Sequence, residues 1–156
     1  QQLRVGTENV PGIIGLGKAA ELAQLAVSKG GKLQTLRDQL QLSIEQMIPG
    51  ASLNGHPSER LSNTLNMTLP NLRGESIVVA MDQHGISLSS GSACKSGSSD
   101  PTHVLLAMGR SDEQAHCSVR FSLCDSTTSA DIEYTCHALG EVLHELETTV
   151  RFLSCK

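Results

Sequence analysis

A chain of 156 residues with 38% hydrophobic and 18% charged residues is long enough to bury a core and too apolar to stay disordered. A formal net charge of −4 provides no basic field for nucleic acid or an anionic lipid surface. No apolar run approaches the ~20 residues that span a bilayer, so a nucleic-acid binder and a membrane protein are both set aside.

Aromatic residues are scarce (two Phe, one Tyr, no Trp), which leaves the core to Leu, Ile, Val, Ala and Met. The five cysteines, Cys94, Cys117, Cys124, Cys136 and Cys155, are odd in number and contain no C-x-x-C pair. That pattern argues against a disulfide framework and for free thiols in a reducing compartment, the cytoplasm or an organelle matrix. The opening QQLRVGTENV has neither a signal-peptide apolar stretch nor an initiator Met, as expected of part of a longer polypeptide.

Pro11 opens the first periodic segment, in which Ile13, Ile14, Leu16, Ala20, Leu22, Ala23 and Ala26 recur at helical spacing. Gly30-Gly31 interrupts it, and Leu33, Leu36, Leu40, Ile44 and Met47 resume the period up to Pro49-Gly50. Two helices, or one long helix with a break, are predicted. Ser52 to Asn54 reads as a short strand, and the alternation in Thr64 to Leu69 as a half-buried one. Gly74 to His84 reads as a short helix with Glu75 at its positive end, followed by a strand over Ile86 to Leu88.

Ser89 to Asp100 is small, polar and glycine-rich. Pro101 ends it and begins a short helix, Ser111 or Asp112 caps another, and Ser118 to Leu123 reads as a strand. Thr128 with Asp131 three residues later is a variant capping box for the last helix, whose apolar face is Leu139, Val142, Leu143 and Leu146. The expected fold is α/β in content, an α+β small domain with helices packed on a small, mostly antiparallel sheet. No repeat or linker divides it, so residues 1–156 read as one domain.

Three places carry chemistry. Cys94 sits among Ser89, Ser90, Gly91, Ser92, Ser96, Gly97, Ser98 and Ser99, residues that bury little and are costly to order. An exposed thiol is expected there, with Lys95 favouring the thiolate; the alternative is a surface loop that happens to hold a cysteine. Arg120 lies mid-strand on the face of Ser118 and Ser122, opposite Val119 and Phe121, where its guanidinium would grip a carboxylate through two parallel hydrogen bonds. The alternative is a solvated or salt-bridged surface arginine. Gly6, Thr7 and the free amides of the following helix start suit an anion such as phosphate, although ordinary capping has the same pattern. The histidines show no metal-ligand spacing, and His137 with Glu141 reads as a surface i, i+4 pair.

With these residues in view, the chain resembles the cysteine desulfurases of the NifS/IscS type, within the class V aminotransferase superfamily. Four segments carry the resemblance in order: RVGTENVPGIIGLGKAAELA from Arg4, LSNTLNMTL from Leu61, SSGSACKSGSSDPTHVLLAMG from Ser89 and AHCSVRFSLCDSTTSADIE from Ala115. Together with their intervals they span essentially the whole chain, and SSGSAC followed by SxRFSL is the specific part.

The resemblance implies the C-terminal small domain of fold-type I pyridoxal-phosphate (PLP) enzymes, beginning at the end of the linker from a large domain that this chain lacks. It implies that Cys94 attacks the sulfur of cofactor-held L-cysteine, leaving L-alanine and an enzyme persulfide for an iron–sulfur scaffold or another acceptor protein. Arg120 then matches the substrate-carboxylate arginine, Asn63 an asparagine near the substrate, and Thr7 the threonine that contacts the cofactor phosphate of the partner subunit in a homodimer. The SSGSAC loop fits the NifS/IscS group better than the short-loop SufS group or selenocysteine lyases. Cys124 stands where the family commonly has Gly.

The Schiff-base lysine, the stacking histidine and the aspartate at the pyridine nitrogen are expected upstream of this chain, which alone should not turn over cysteine. Two other readings compete: a sulfur-carrier or interaction module without cofactor chemistry, and a degenerate structural domain with an inert Cys94.

Overall fold

A computed structural model describes residues 6–28, 31–90 and 101–154. Helix α1 runs Val10–Ser28 and α2 Gly31–Met47, so the first apolar segment forms two helices. The short strand β1 is Ser52–Leu53, β2 is Thr64–Thr68 and α3 is Gly74–Gln83. Then come α4, His103–Ala107, α5, Asp112–His116, β3, Ser118–Ser122, and the long α6, Ser129–Ser154. The sheet is antiparallel throughout, in the order β1-β2-β3. The α+β expectation therefore holds.

Local chemistry sets the element ends. Asn9 caps α1 by accepting from Gly12 N at 3.1 Å, so the helix starts at Val10, one residue before the expected Pro11. Ser111 and Gln114 close a reciprocal capping box on α5. The predicted box on α6 is also present: Thr128 N donates to Asp131 Oδ2 at 2.8 Å, and Asp131 N donates to Thr128 Oγ1 at 3.3 Å.

One predicted element does not form. Ile86 to Leu88 is not a strand, because α3 ends in a Schellman closure that takes up the Ile86 amide. Gly85, at φ 74°, donates to Asp82 O, and Ile86 N donates back to Met81 O at 3.1 Å. Only at Ser89 does this segment reach the sheet, through a single antiparallel bridge to Arg120.

The core lies on one face of the sheet. Leu65 and Met67 of β2 and Val119 and Phe121 of β3 point into it, as period-two alternation requires. Leu36, Leu40 and Ile44 of α2 cover them, together with Ile77 and Met81 of α3 and Leu139 and Val142 of α6. Each such side chain contributes about 1.5–3 kcal/mol when fully buried. The start of α3 is pressed against β3: a Cβ at Gly74 would stand 2.5 Å from the Ser118 carbonyl oxygen, so no side chain fits there. Among the described residues helix α1 has no such cover: its Ile13, Ile14, Leu16, Leu22 and Val27 are 54–81% exposed.

Candidate active site

The other face of the sheet is polar, and register fixes its composition. Thr64 lies opposite Ser122, Asn66 opposite Arg120 and Thr68 opposite Ser118. Because period-two alternation puts all six on the face away from the core, Arg120 stands with Ser118 and Ser122 as predicted.

On its outer edge Arg120 holds Ser89 by two backbone hydrogen bonds, Arg120 N to Ser89 O at 2.8 Å and Ser89 N to Arg120 O at 3.2 Å. The guanidinium adds a third contact, Nη2 donating to Ser89 Oγ at 3.3 Å. Arg120 is half-buried, its Nε is buried without an acceptor, and among the described residues no carboxylate pairs with it. The salt-bridged alternative thus has no partner among the described residues. A half-buried cation without a counter-ion is a standing attraction for an anion with two oxygens.

Beneath Arg120 a buried polar network ties the sheet together. Asn54 Nδ2 donates to Asn66 Oδ1 at 2.8 Å and lies 3.0 Å from both Thr68 Oγ1 and Ser118 Oγ, while Ser118 Oγ donates to Gln114 O at 2.6 Å. The sequence carries no signal that assigns Asn66 a place beside Arg120. The alternation of Thr64 to Leu69 places Asn66 on the polar face, but its adjacency to Arg120 depends on a register that a single strand's pattern does not contain.

Asn63 sits at the entrance of β2, where its carbonyl accepts from Leu123 N at 2.8 Å and its Oδ1 from Thr64 Oγ1 at 3.2 Å. It precedes Asn66 by three residues and is not brought opposite Arg120. The connection leading to it is pinned to α2. Arg37, 3% exposed, donates to Leu61 O at 2.7 Å, and Asp38 accepts from both Arg37 and Arg60. A buried arginine in a helix of mixed polarity gave no sequence signal.

Thr7 is exposed ahead of α1. The amides expected to be free at that helix start are taken up: Val10 N by Glu8 O, Gly12 N by Asn9 Oδ1 and Ile13 N by Asn9 O, while Pro11 has none. Any anion contact there falls to the Thr7 hydroxyl rather than to the helix end.

Cys94 and Lys95 lie outside the described residues. Of the described cysteines, Cys117 is buried and Cys136 half-buried, with burial pushing the Cys136 thiol up in pKa. Cys124 is exposed in the turn after β3, its Sγ 3.1 Å from Ser126 Oγ, and hydrogen bonds from Ser126 and Thr127 lower its pKa.

His137 and Glu141 form the i, i+4 pair expected, at 3.6 Å. Among the described residues no group of three His, Cys, Asp or Glu side chains suits a metal ion. Nor is any described helix long and apolar enough to cross a membrane.

The described residues do not by themselves fit PLP. Lys18 pairs with Glu21 on exposed α1 and Lys32 donates to the Asp125 carbonyl, so neither lysine is presented to the Arg120 face. What this face presents is the Arg120 guanidinium, with no carboxylate partner among the described residues.

Comparison with known proteins adds the following. The family model described as aminotransferase class-V matches residues 1–135. Cysteine desulfurase 2 of Trichormus variabilis is 44% identical over 149 residues, 96% of this chain and 37% of that protein. Cysteine desulfurase IscS of Methanosarcina thermophila is 44% identical over 146 residues, 92% of this chain and 35% of its own length. Among solved structures, a NifS-like protein from Rickettsia africae superposes with a TM-score of 0.78 at 33% identity, covering 90% of this chain and 36% of that one. The chain thus spans a little over a third of the length of the curated relatives it matches.

Proposed function

Since this chain belongs to the class-V aminotransferase family, we propose that it is the substrate-gripping and sulfur-accepting small domain of a PLP-dependent cysteine desulfurase. The observation that carries the reading is the junction at Arg120. A half-buried arginine with no carboxylate partner among the described residues is joined by backbone hydrogen bonds to Ser89, five residues ahead of Cys94.

In this reading Arg120 holds the carboxylate of L-cysteine. The Cys94 thiolate takes the substrate sulfur: an S–S bond forms, the Cβ–S bond breaks, and the electron pair left on carbon takes up a proton. The products are L-alanine and a Cys94 persulfide, which an iron–sulfur scaffold or another acceptor protein receives. PLP, which this family uses in general, would supply the electron sink that makes the carbon–sulfur bond cleavable. The Schiff-base lysine belongs to a large domain outside this chain.

Thr7 contacts the cofactor phosphate of a partner subunit in a homodimer. Asn63 acts from the entrance of β2 on the same sheet, through the strand rather than by adjacency to Arg120. Free thiols at Cys117, Cys124 and Cys136 support a reducing compartment, the cytoplasm or an organelle matrix.

The test is sulfide release from L-cysteine by the full-length enzyme carrying this segment. Cys94→Ala should abolish it, whereas Cys124→Ala, the control for the other exposed thiol with a favoured thiolate, should leave it intact. Arg120→Lys should raise KM for cysteine at least about 30-fold, the lower range for truncating a buried charge pair. Sulfide release undiminished in Cys94→Ala would remove the nucleophile from the scheme.

A further inference from the structure

Asn66 and Arg120 are partners in the β2–β3 register. The backbone groups of Arg120 turn outward to Ser89, and the carbonyl of Asn66 turns the other way, to Asn54 N at 2.9 Å. The two residues are therefore a non-hydrogen-bonded antiparallel pair, the kind with Cα atoms only about 4.5 Å apart and side chains closest together.

Proton counting along the buried network decides which end of the Asn66 amide is which. The Ser118 hydroxyl has one hydrogen, and it goes to the Gln114 carbonyl at 2.6 Å. Ser118 Oγ must then accept from its other neighbours, so the Asn54 atom 3.0 Å away is the amide nitrogen. That nitrogen also lies 2.8 Å from the Asn66 side chain, so the Asn66 atom facing it is the acceptor, Oδ1. The Nδ2 of Asn66 is the end turned away from Asn54, on the face that carries Arg120, and it donates to no described residue. Two neighbouring donors on one sheet face, with no acceptor shared between them among the described residues, match a ligand that offers two acceptor oxygens.

We propose that Asn66 is a second donor to the substrate carboxylate, working beside Arg120 with its amide orientation set by the Gln114–Ser118–Asn54 chain. This rests on the desulfurase reading above, and the experiment separates the two. In the full-length enzyme, Asn66→Val keeps a strand-favouring side chain and removes the donor. KM for L-cysteine should rise about tenfold with kcat within about twofold, the size of one hydrogen bond to a charged group. The inhibition constant of cysteamine, which lacks the carboxylate, should stay within about twofold.

Equal weakening of both ligands would mean that Asn66 merely shapes the sheet, and an unchanged cysteine KM would mean that it does not touch substrate. Either result overturns the proposal. Should Asn66→Val fail to fold, Asn66→Thr keeps an oxygen that can accept from Asn54, removes the amide donor without adding charge, and gives the same contrast, cysteine weakened and cysteamine not. Arg120→Lys run in parallel tells the readings apart. If it too leaves cysteine binding unchanged, the desulfurase site itself is wrong; if it raises KM while the Asn66 variants do not, only the second donor is lost.

Discussion

Helices α1 and α2 are near neighbours in sequence, both apolar at helical spacing, and they end in opposite environments. Leu36, Leu40 and Ile44 of α2 are buried against the sheet and α6, whereas every large apolar side chain described on α1 is more than half exposed. Periodicity predicts that a segment is helical and says nothing about whether a surface is present to receive its apolar residues. Helix α2 meets such a surface within this chain, and α1 meets none among the described residues.

The largest expected effect lies on the buried side of that contrast. Ile44→Ala should cost about 2–5 kcal/mol, lost transfer energy plus a cavity beneath β2, read as a shift in the urea midpoint at unchanged slope. A smaller effect falls on α6. Thr128→Ala removes the cap and should cost about 0.5–2 kcal/mol in the same measurement.

Its partner Asp131 makes that cap dependent on pH. Hydrogen bonds from Thr128 hold the carboxyl below its ordinary pKa. The stabilisation is thus fully present above the unfolded aspartate value and is lost as pH falls through the lower folded one. Denaturant midpoints taken from pH 6 downward should show an acid slope that is shallower in Asp131→Asn. The smallest effect belongs to α1, where Ile14→Ser should move the midpoint of this chain by no more than about 0.5 kcal/mol. A loss at Ile14 as large as that at Ile44 would show that α1 is covered after all and would erase the contrast.

Much of the fold was legible because it is locally encoded. The Thr128-x-x-Asp131 box, the alternation of Thr64 to Leu69 and the breaker pair Pro49-Gly50 each act within a few residues, and each appears where it was read. The predicted strand over Ile86 to Leu88 failed for a similarly local reason, since Gly85 lets the chain turn back and close α3 with the Ile86 amide.

The site was less legible. Arg120 and its face followed from alternation, but its bridge to Ser89 and its neighbour Asn66 depend on strands distant in sequence coming into register. Arg37 shows the same limit. A charged residue in the middle of α2 reads as solvated, yet it is buried because the carbonyl of Leu61, 24 residues away, comes within reach of its guanidinium.

The bridge between residues 89 and 120 also separates two properties that proteins often entangle. The anion recognition proposed for Arg120 would reside in its guanidinium, while the pairing with Ser89 resides mainly in an amide and a carbonyl of the same residue. Side-chain replacement at 120 removes the guanidinium and only its one side-chain contact to Ser89, sparing the two backbone bonds, whereas Ser89→Pro deletes one of those backbone bonds and keeps the guanidinium, so the two properties are largely separable at a single pair of peptides.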